Sequence, residues 1–196
     1  SALTALAVVC VPEPVHAQWT NDPASNSVLS GGGMNSGIPH PQQVATLDGG
    51  CYVAWIETSP TGRDIRLQRL DVQGNKLLGP TGMLVAPGGG PLFVPDRIGL
   101  SLDASGNALL AYEQDQGGGL SQVMITKISP MGVHLWGLSG VPVSATESGV
   151  RFPHVVSTND GDAVVAWTEN PSPSSTDVRL QRVAPSGALR WAAPLL

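Results

Sequence analysis

Gly161-Asp162-Ala163-Val164-Val165-Ala166-Trp167 runs from a turn glycine through four small apolar residues to an aromatic one. Gly49 to Trp55 and Gly106 to Tyr112 follow the same plan, each glycine preceding its aromatic residue by six positions. Trp55, Tyr112 and Trp167 stand at intervals of 57 and 55 residues. A turn glycine, a short hydrophobic run and an aromatic residue recurring at a period near fifty define a repeat protein. Such a chain builds a propeller or a solenoid rather than one central core.

Outward from that run, each unit reads as four strands. The first covers Gln42 to Leu47, Arg97 to Leu102 and His154 to Thr158, entered near Pro41, Pro95 and Pro153, a residue tolerated at a strand's first position. Asp48-Gly49, Ser105-Gly106 and Asp160-Gly161 are hairpin signals. The second strand, Cys51 to Ile56, Ala108 to Glu113 and Ala163 to Thr168, is apolar on both faces, as a strand between neighbouring sheets must be. Connectors follow at Thr58 to Arg63, Asp115 to Leu120 and Asn170 to Thr176. The third strand (Asp64 to Leu70, Gln122 to Ile128, Asp177 to Val183) alternates apolar with polar residues, which suits a half-exposed outer position. Gly74, Gly132 and Gly187 then open a ragged fourth strand through Gly82 to Val85 or Gly140 to Val143. Trp136 closes a Gly-x-x-Leu-Trp pattern begun at Gly132, and Trp191 a Gly-x-Leu-x-Trp pattern begun at Gly187.

Composition supports an all-β reading. With 24 glycines and 17 prolines among its 196 residues the chain suits short strands and tight turns, and 41% hydrophobic against 13% charged residues sets it apart from disordered chains. The net charge of -5, with only Lys76 and Lys127 and eight scattered arginines, leaves no basic face for a nucleic acid.

Ala2 to Val11 is a hydrophobic run followed by Pro12, Pro14 and Val15-His16-Ala17, which reads as a signal peptide over residues 1–17 lacking its charged n-region. It is half the ~20 residues that span a bilayer. Val9 stands where a lipobox requires Gly, Ala or Ser, against lipidation of Cys10. Once that segment is removed, Cys51 has no disulfide partner and reads as a small buried residue. Residues 18–37 form a polar N-terminal strand-like segment whose Trp19 matches Trp136 and Trp191, so it is a candidate ring-closing strand. Residues 38–196 hold three repeats, about 38–93, 94–151 and 152–196, the last truncated.

Asp48-Gly49-Gly50, Trp55-Ile56-Glu57, Asp64-Ile65, Gln68-Arg69-Leu70-Asp71, Gly74-Asn75, Leu135-Trp136-Gly137 and Gly140-Val141 together resemble the unit of secreted bacterial β-propeller-type repeat proteins. The resemblance covers roughly residues 38–196 and implies that the units are propeller blades. The second repeat departs most, with Tyr112 for Trp, Gln114 where Glu57 and Glu169 stand, and Thr126 for Gln68 and Gln181. The motif specifies a blade and carries over no catalytic or cofactor residue.

Glu57 and Glu169 invite a reading as paired acids, since some propeller glycosidases place carboxylates near a central funnel. Catalysis needs one site, however, whereas these two hold equivalent repeat positions. Asp64 and Asp177 recur in register with Gln68 and Gln181 and read as turn and strand-edge residues. His40, His134 and His154 have no ligand spacing. Gly88-Gly89-Gly90 and Gly117-Gly118-Gly119 lack the surroundings of a phosphate loop and read as flexible connectors.

These readings lead to an all-β chain, a partial β-propeller of about three four-stranded antiparallel blades, whose remaining blades are expected beyond Leu196. The recurring positions Gly49, Trp55, Gly74, Gly106, Tyr112, Gly132, Trp136, Gly161, Trp167, Gly187 and Trp191 are expected to be structural. The expected protein is exported and non-catalytic and uses no cofactor or metal. It would bind an extracellular protein or carbohydrate through blade-end loops, without nucleic acid or a membrane span. The alternative is an extracellular hydrolase or lyase acting on polysaccharide, its acids in loops or in further blades. Supplied with an n-region in a bacterial host, the protein should leave the cytoplasm with Gln18 as its first residue. Mass spectrometry of exported protein that still carries Ala2 to Val11 would refute that.

Overall fold

A computed structural model describes residues 41–59, 62–87, 98–172 and 174–196 together with Leu29. The expected signal peptide, Trp19, His40, Pro95 and the 88–90 glycine run lie outside the described residues. Those residues contain no helix. They form β1 (Gln42–Ala45), β2 (Cys51–Ser59), β3 (Gly62–Leu70), β4 (Met83–Ala86), β5 (Ile98–Leu102), β6 (Ala108–Gly117), β7 (Leu120–Ile128), β8 (Val141–Pro142), β9 (Arg151–Ser157), β10 (Ala163–Ser172) and β11 (Ser175–Val183). Three sheets result, ordered β1-β2-β3-β4, β5-β6-β7-β8 and β11-β10-β9, and every pairing is antiparallel between sequence neighbours. In the third sheet Leu195 exchanges two backbone hydrogen bonds with Leu180, at 3.0 and 2.9 Å, where β8 pairs with β7 in the second.

The turn between first and second strands is the same in each sheet. Thr46 donates to Gly50, Asp103 to Asn107 and Thr158 to Asp162, enclosing three-residue loops in which Gly49, Gly106 and Gly161 adopt φ of 84, 76 and 85°. This is the type I turn with a glycine bulge, a backbone state that costs a Cβ-bearing residue strain. Gly74, Gly132 and Gly187, at φ 81, 80 and 90°, close identical loops after the third strands.

The expected connectors after the second strands are mostly strand. The ladder from Cys51↔Leu70 continues through Glu57↔Asp64 to Ser59↔Gly62, and β6 pairs with β7 out to Gly117↔Leu120. Gly118 and Gly119, at φ 63 and 79°, are the two central residues of a tight hairpin rather than a loose tether. Thr58-Arg63 and the glycine triplet looked like linkers because they lack apolar alternation, yet backbone pairing needs none.

Packing follows from the alternation of side chains across each strand. Tyr52, Ala54, Ile56, Ile65, Leu67 and Val85 of the first sheet meet Ile98, Ala108, Leu110, Tyr112, Met124 and Ile128 of the second. The second sheet's opposite face, with Leu109, Ala111, Val123, Ile125 and Val143, meets Val155, Ala163, Val165, Trp167 and Val183 of the third. By repeat position both interfaces join the same two unlike faces, one bearing the aromatic residue and one bearing its strand neighbours. At Gly99 the inner strands approach so closely that a Cβ would fall 2.9 Å from both Cα of His154 and the carbonyl oxygen of Pro153. Trp55 differs from its counterparts. It is buried, but it joins neither inter-sheet cluster, and its ring lies over Gly82 of its own sheet.

Replacing Trp167 with Ala removes a side chain that is 2% exposed from the second interface. The expected loss is about 3 to 5 kcal/mol in a denaturant melt. A loss under about 1 kcal/mol would contradict its core role.

Candidate functional site

The inner strands converge at the ends that carry the glycine turns, and there a groove of about 660 Å³ opens across all three sheets. Its walls come from Val44 to Asp48, Ser101 to Gly106 and Ser157 to Asn159, with Arg69 and Pro130 behind them. The volume lies within the range of small-molecule sites. Leu47 stands fully exposed at the tip of its turn. The lining mixes apolar Val44 and Leu102 with the hydroxyls of Thr46, Ser101, Ser157 and Thr158 and the amide of Asn159.

Ion pairs hold the turns that bear the groove. Arg69 binds Asp48 at 2.5 Å, and Thr46 donates its hydroxyl to the same carboxylate. The Thr46 hydrogen bond, then the Gly50 amide and Arg69, keep Asp48 below the ordinary carboxylate range. In the second sheet, buried Asp103 accepts from the backbone of Ser105 and Asn107 and from the Asn107 side chain, and pairs with buried Lys127 at 2.6 Å. Burial pushes the Asp103 pKa up, but the Asn107 and Lys127 hydrogen bonds outweigh it and the net shift is downward. In the third sheet Asp162 binds Arg190 twice at 3.0 Å and Arg182 at 2.7 Å, and it too is held low, chiefly by Arg190.

The opposite ends of the sheets hold the glutamates. Glu57 pairs with Arg66 at 2.6 Å and Glu169 with Arg179 at 2.7 Å, the same cross-strand contact in two repeats. The middle repeat replaces both partners, with Gln114 and Met124. Glu57 and Glu169 belong to sheets separated by a third, and at ~10 Å per sheet they stand about 20 Å apart, too far to act on one bond. Asp64 is buried within β3, and Asp177 lies 3.4 Å from Arg179. His154 is exposed on β9 and His134 pairs with Ile128 in a bridge. No cluster of metal-ligating side chains occurs among the described residues.

Tyr112 and Trp167 lie between sheets, and burial pushes the Tyr112 hydroxyl pKa up to about 12. Trp136 is half-buried and donates to the carbonyl of Pro185 at 2.9 Å, while Trp191 is half-buried at the outer edge of the third sheet. Two residues escaped the sequence reading. Glu113 is buried and accepts from the backbone N–H of Phe152 at 2.9 Å, where Phe152 is held at φ 56°. Ile56 and Thr168 fill the equivalent positions, so an acid at that one place was the available signal. Glu147, between β8 and β9, lies beside Glu169, and this second carboxyl raises its pKa, with burial adding and Arg179 opposing.

No family model matches the chain, and no curated protein matches it. Among solved structures it is similar to an endo-arabinase from Bacteroides thetaiotaomicron, with 11% identity and a TM-score of 0.46 over 74% of this chain. The chain spans about half the length of that structure, 56% of it.

Removing Asp103 strands Lys127 without its carboxylate, so Asp103→Ala is expected to cost about 3 kcal/mol. Because the folded pKa of Asp103 lies below its unfolded value, near ~3.9, the stabilisation is complete above that pH and is lost as pH falls through the folded value. Melts of wild type and variant should therefore begin to draw together only below about pH 4, and approach further as pH falls through the folded value. Equal separation at pH 7 and pH 3 would contradict the assignment.

Proposed function

We propose that the chain forms part of a β-propeller and acts as an exported, non-catalytic binding protein that takes an extracellular glycan into the groove at the glycine-turn ends. The groove supports this reading because it draws hydroxyl, amide and carboxylate groups from three successive sheets beside the apolar Val44 and Leu102. Sugars present the same combination of polar rim and apolar ring face. The repeated turns fix the groove's position while their tip residues differ: Leu47-Asp48, Ala104-Ser105 and Asn159-Asp160. Varied loops on a repeated scaffold are where binding residues concentrate.

One observation favours the hydrolase reading. Glu147 and Glu169 lie side by side, and the pair has no counterpart in the second repeat, where Gln114 stands for Glu169. Glu169, however, is committed to Arg179 at 2.7 Å, the same cross-strand contact that Glu57 makes with Arg66, so the fold accounts for it. Binding without hydrolysis is therefore the better fit.

A glycan array followed by calorimetry tests the proposal. Asn159→Ala, at an exposed turn position, should weaken the best ligand by about tenfold (~1.4 kcal/mol) without moving the melting temperature. Retained affinity in that variant and in Thr46→Ala would remove the groove from consideration. Substrate cleavage abolished by Glu147→Gln would overturn the non-catalytic reading.

A further inference from the structure

The three walls of the groove are joined to one another by side-chain hydroxyls. Tyr52, fully buried on β2, donates its hydroxyl across to the carbonyl oxygen of Gly106 at 3.2 Å. Ser157, the last residue of β9, donates to the carbonyl oxygen of Leu102 at 2.6 Å. Leu102 and Gly106 stand on either side of Asp103, Ala104 and Ser105 and line the groove with them. The middle turn is thus held from the first sheet on one side and from the third sheet on the other.

Neither hydroxyl recurs. Leu109 and Val164 stand at the position of Tyr52, three residues after the turn glycine, and Ala45 and Leu102 at that of Ser157, four residues before it. Packing does not require the polar atoms either, since Leu109 makes the corresponding contact at the second junction with an apolar side chain. At that junction the hydroxyl comes from the opposite direction, from Ser157. Two residues at unrelated repeat positions therefore end on the same short loop.

The link extends into the two outer walls. Arg69 lies 5.9 Å from the centre of the Tyr52 ring and binds Asp48 of the first turn. Thr158, next to Ser157, donates its hydroxyl to the carbonyl oxygen of Asp162 at 3.0 Å and so closes the third turn. A ligand that touches three separate turns must order them as it binds, and that ordering costs affinity. Bonds already made between the turns remove part of the cost. The same bonds add little to stability, because water in the groove can replace a hydroxyl at either carbonyl.

We propose that Tyr52 and Ser157 are positioning residues of the groove, which fix the middle turn against its two neighbours so that a glycan is gripped by all three turns at once. The inference rests on the glycan-binding reading of the groove. Ser157 carries the larger share, because its 2.6 Å bond is short for two oxygens whereas the 3.2 Å bond of Tyr52 lies beyond the usual range.

Calorimetry with an oligosaccharide of defined sequence, the strongest hit on the array, tests this. Its dissociation constant should rise about tenfold in Ser157→Ala and about threefold in Tyr52→Phe, which keeps the buried ring. Ser157→Thr retains the hydroxyl and should bind as the wild type does. On the protein alone, amide hydrogen exchange over residues 103–107 should quicken in Ser157→Ala and Tyr52→Phe while the melting temperature stays near that of the wild type. Tyr52→Phe and Asn159→Ala lie on different sheets, yet together they should cost less than the product of their separate losses, because a ligand no longer held across the groove has less to lose at either wall. Tyr52→Phe leaves the core filled and carries the comparison if Ser157→Ala folds poorly. Three results would overturn the positioning role and leave the binding reading standing: unchanged affinity in both hydroxyl-deleted variants, losses that simply multiply, and a Ser157→Thr variant no better than Ser157→Ala. A wild type that binds no glycan overturns the binding reading and the positioning role with it.

Discussion

The packing of unlike faces is the constraint from which the rest of the structure follows. The second and third sheets each present the aromatic-bearing face to the opposite face of the sheet before, so one interface design serves both junctions. A sheet placed between two others must be apolar on both sides, which is why Ala108 to Tyr112 shows no alternation and is buried throughout. The inner strands must also come close, and Gly99 permits it by leaving the space beside Pro153 and His154 empty. Outer strands escape that demand, and β3 and β11 retain the polar positions that carry Arg66, Arg69, Arg179 and Arg182.

Two of those arginines, Arg69 and Arg182, together with Lys127 of the second sheet, hold the groove-end turns. At the groove end each sheet solves the same problem with a carboxylate, but places it differently. Asp48 does so at the turn tip, Asp103 at the turn's first residue, and Asp160 with Asp162 on either side of Gly161. Asp103 and Asp71 share a further device, in which a carboxylate gathers the backbone and side-chain amides of an Asn four residues on. The Asp-x-x-Gly-Asn pattern thus builds one local turn at two non-equivalent places in the repeat, because the turn depends only on its own five residues.

The strands were legible in the sequence to the extent that burial dictated residue type. The second strands announced themselves because packing on both faces demands apolar residues, and the turn glycines because a left-handed backbone demands Gly. The hairpin tips were not legible, since their ladders run in polar solvent-facing sequence where pairing leaves no compositional trace. Trp55 read as the twin of Trp167, yet its setting differs: among the described residues the first sheet packs against a neighbour through its other face, and the Trp55 ring lies over Gly82 of its own sheet. The groove was invisible to sequence reading because its walls come from three segments more than fifty residues apart. Only the stacking step brings Thr46, Ser101 and Thr158 to one place.

Repetition also acts as a filter on chemistry. A side chain that recurs with its partner, as Glu57 does with Arg66 and Glu169 with Arg179, is explained by the fold. Where the middle repeat loses both members together, to Gln114 and Met124, the contact behaves as a unit. What the fold does not explain is what fails to recur. Glu113 ties the strained backbone of Phe152, and Glu147 reaches Glu169 from the segment between β8 and β9. Both contacts link the second sheet to the third at the end away from the groove. Their asymmetry follows from that location: a residue bonding the next sheet answers to its particular neighbour, whereas a residue within a sheet answers to the repeat.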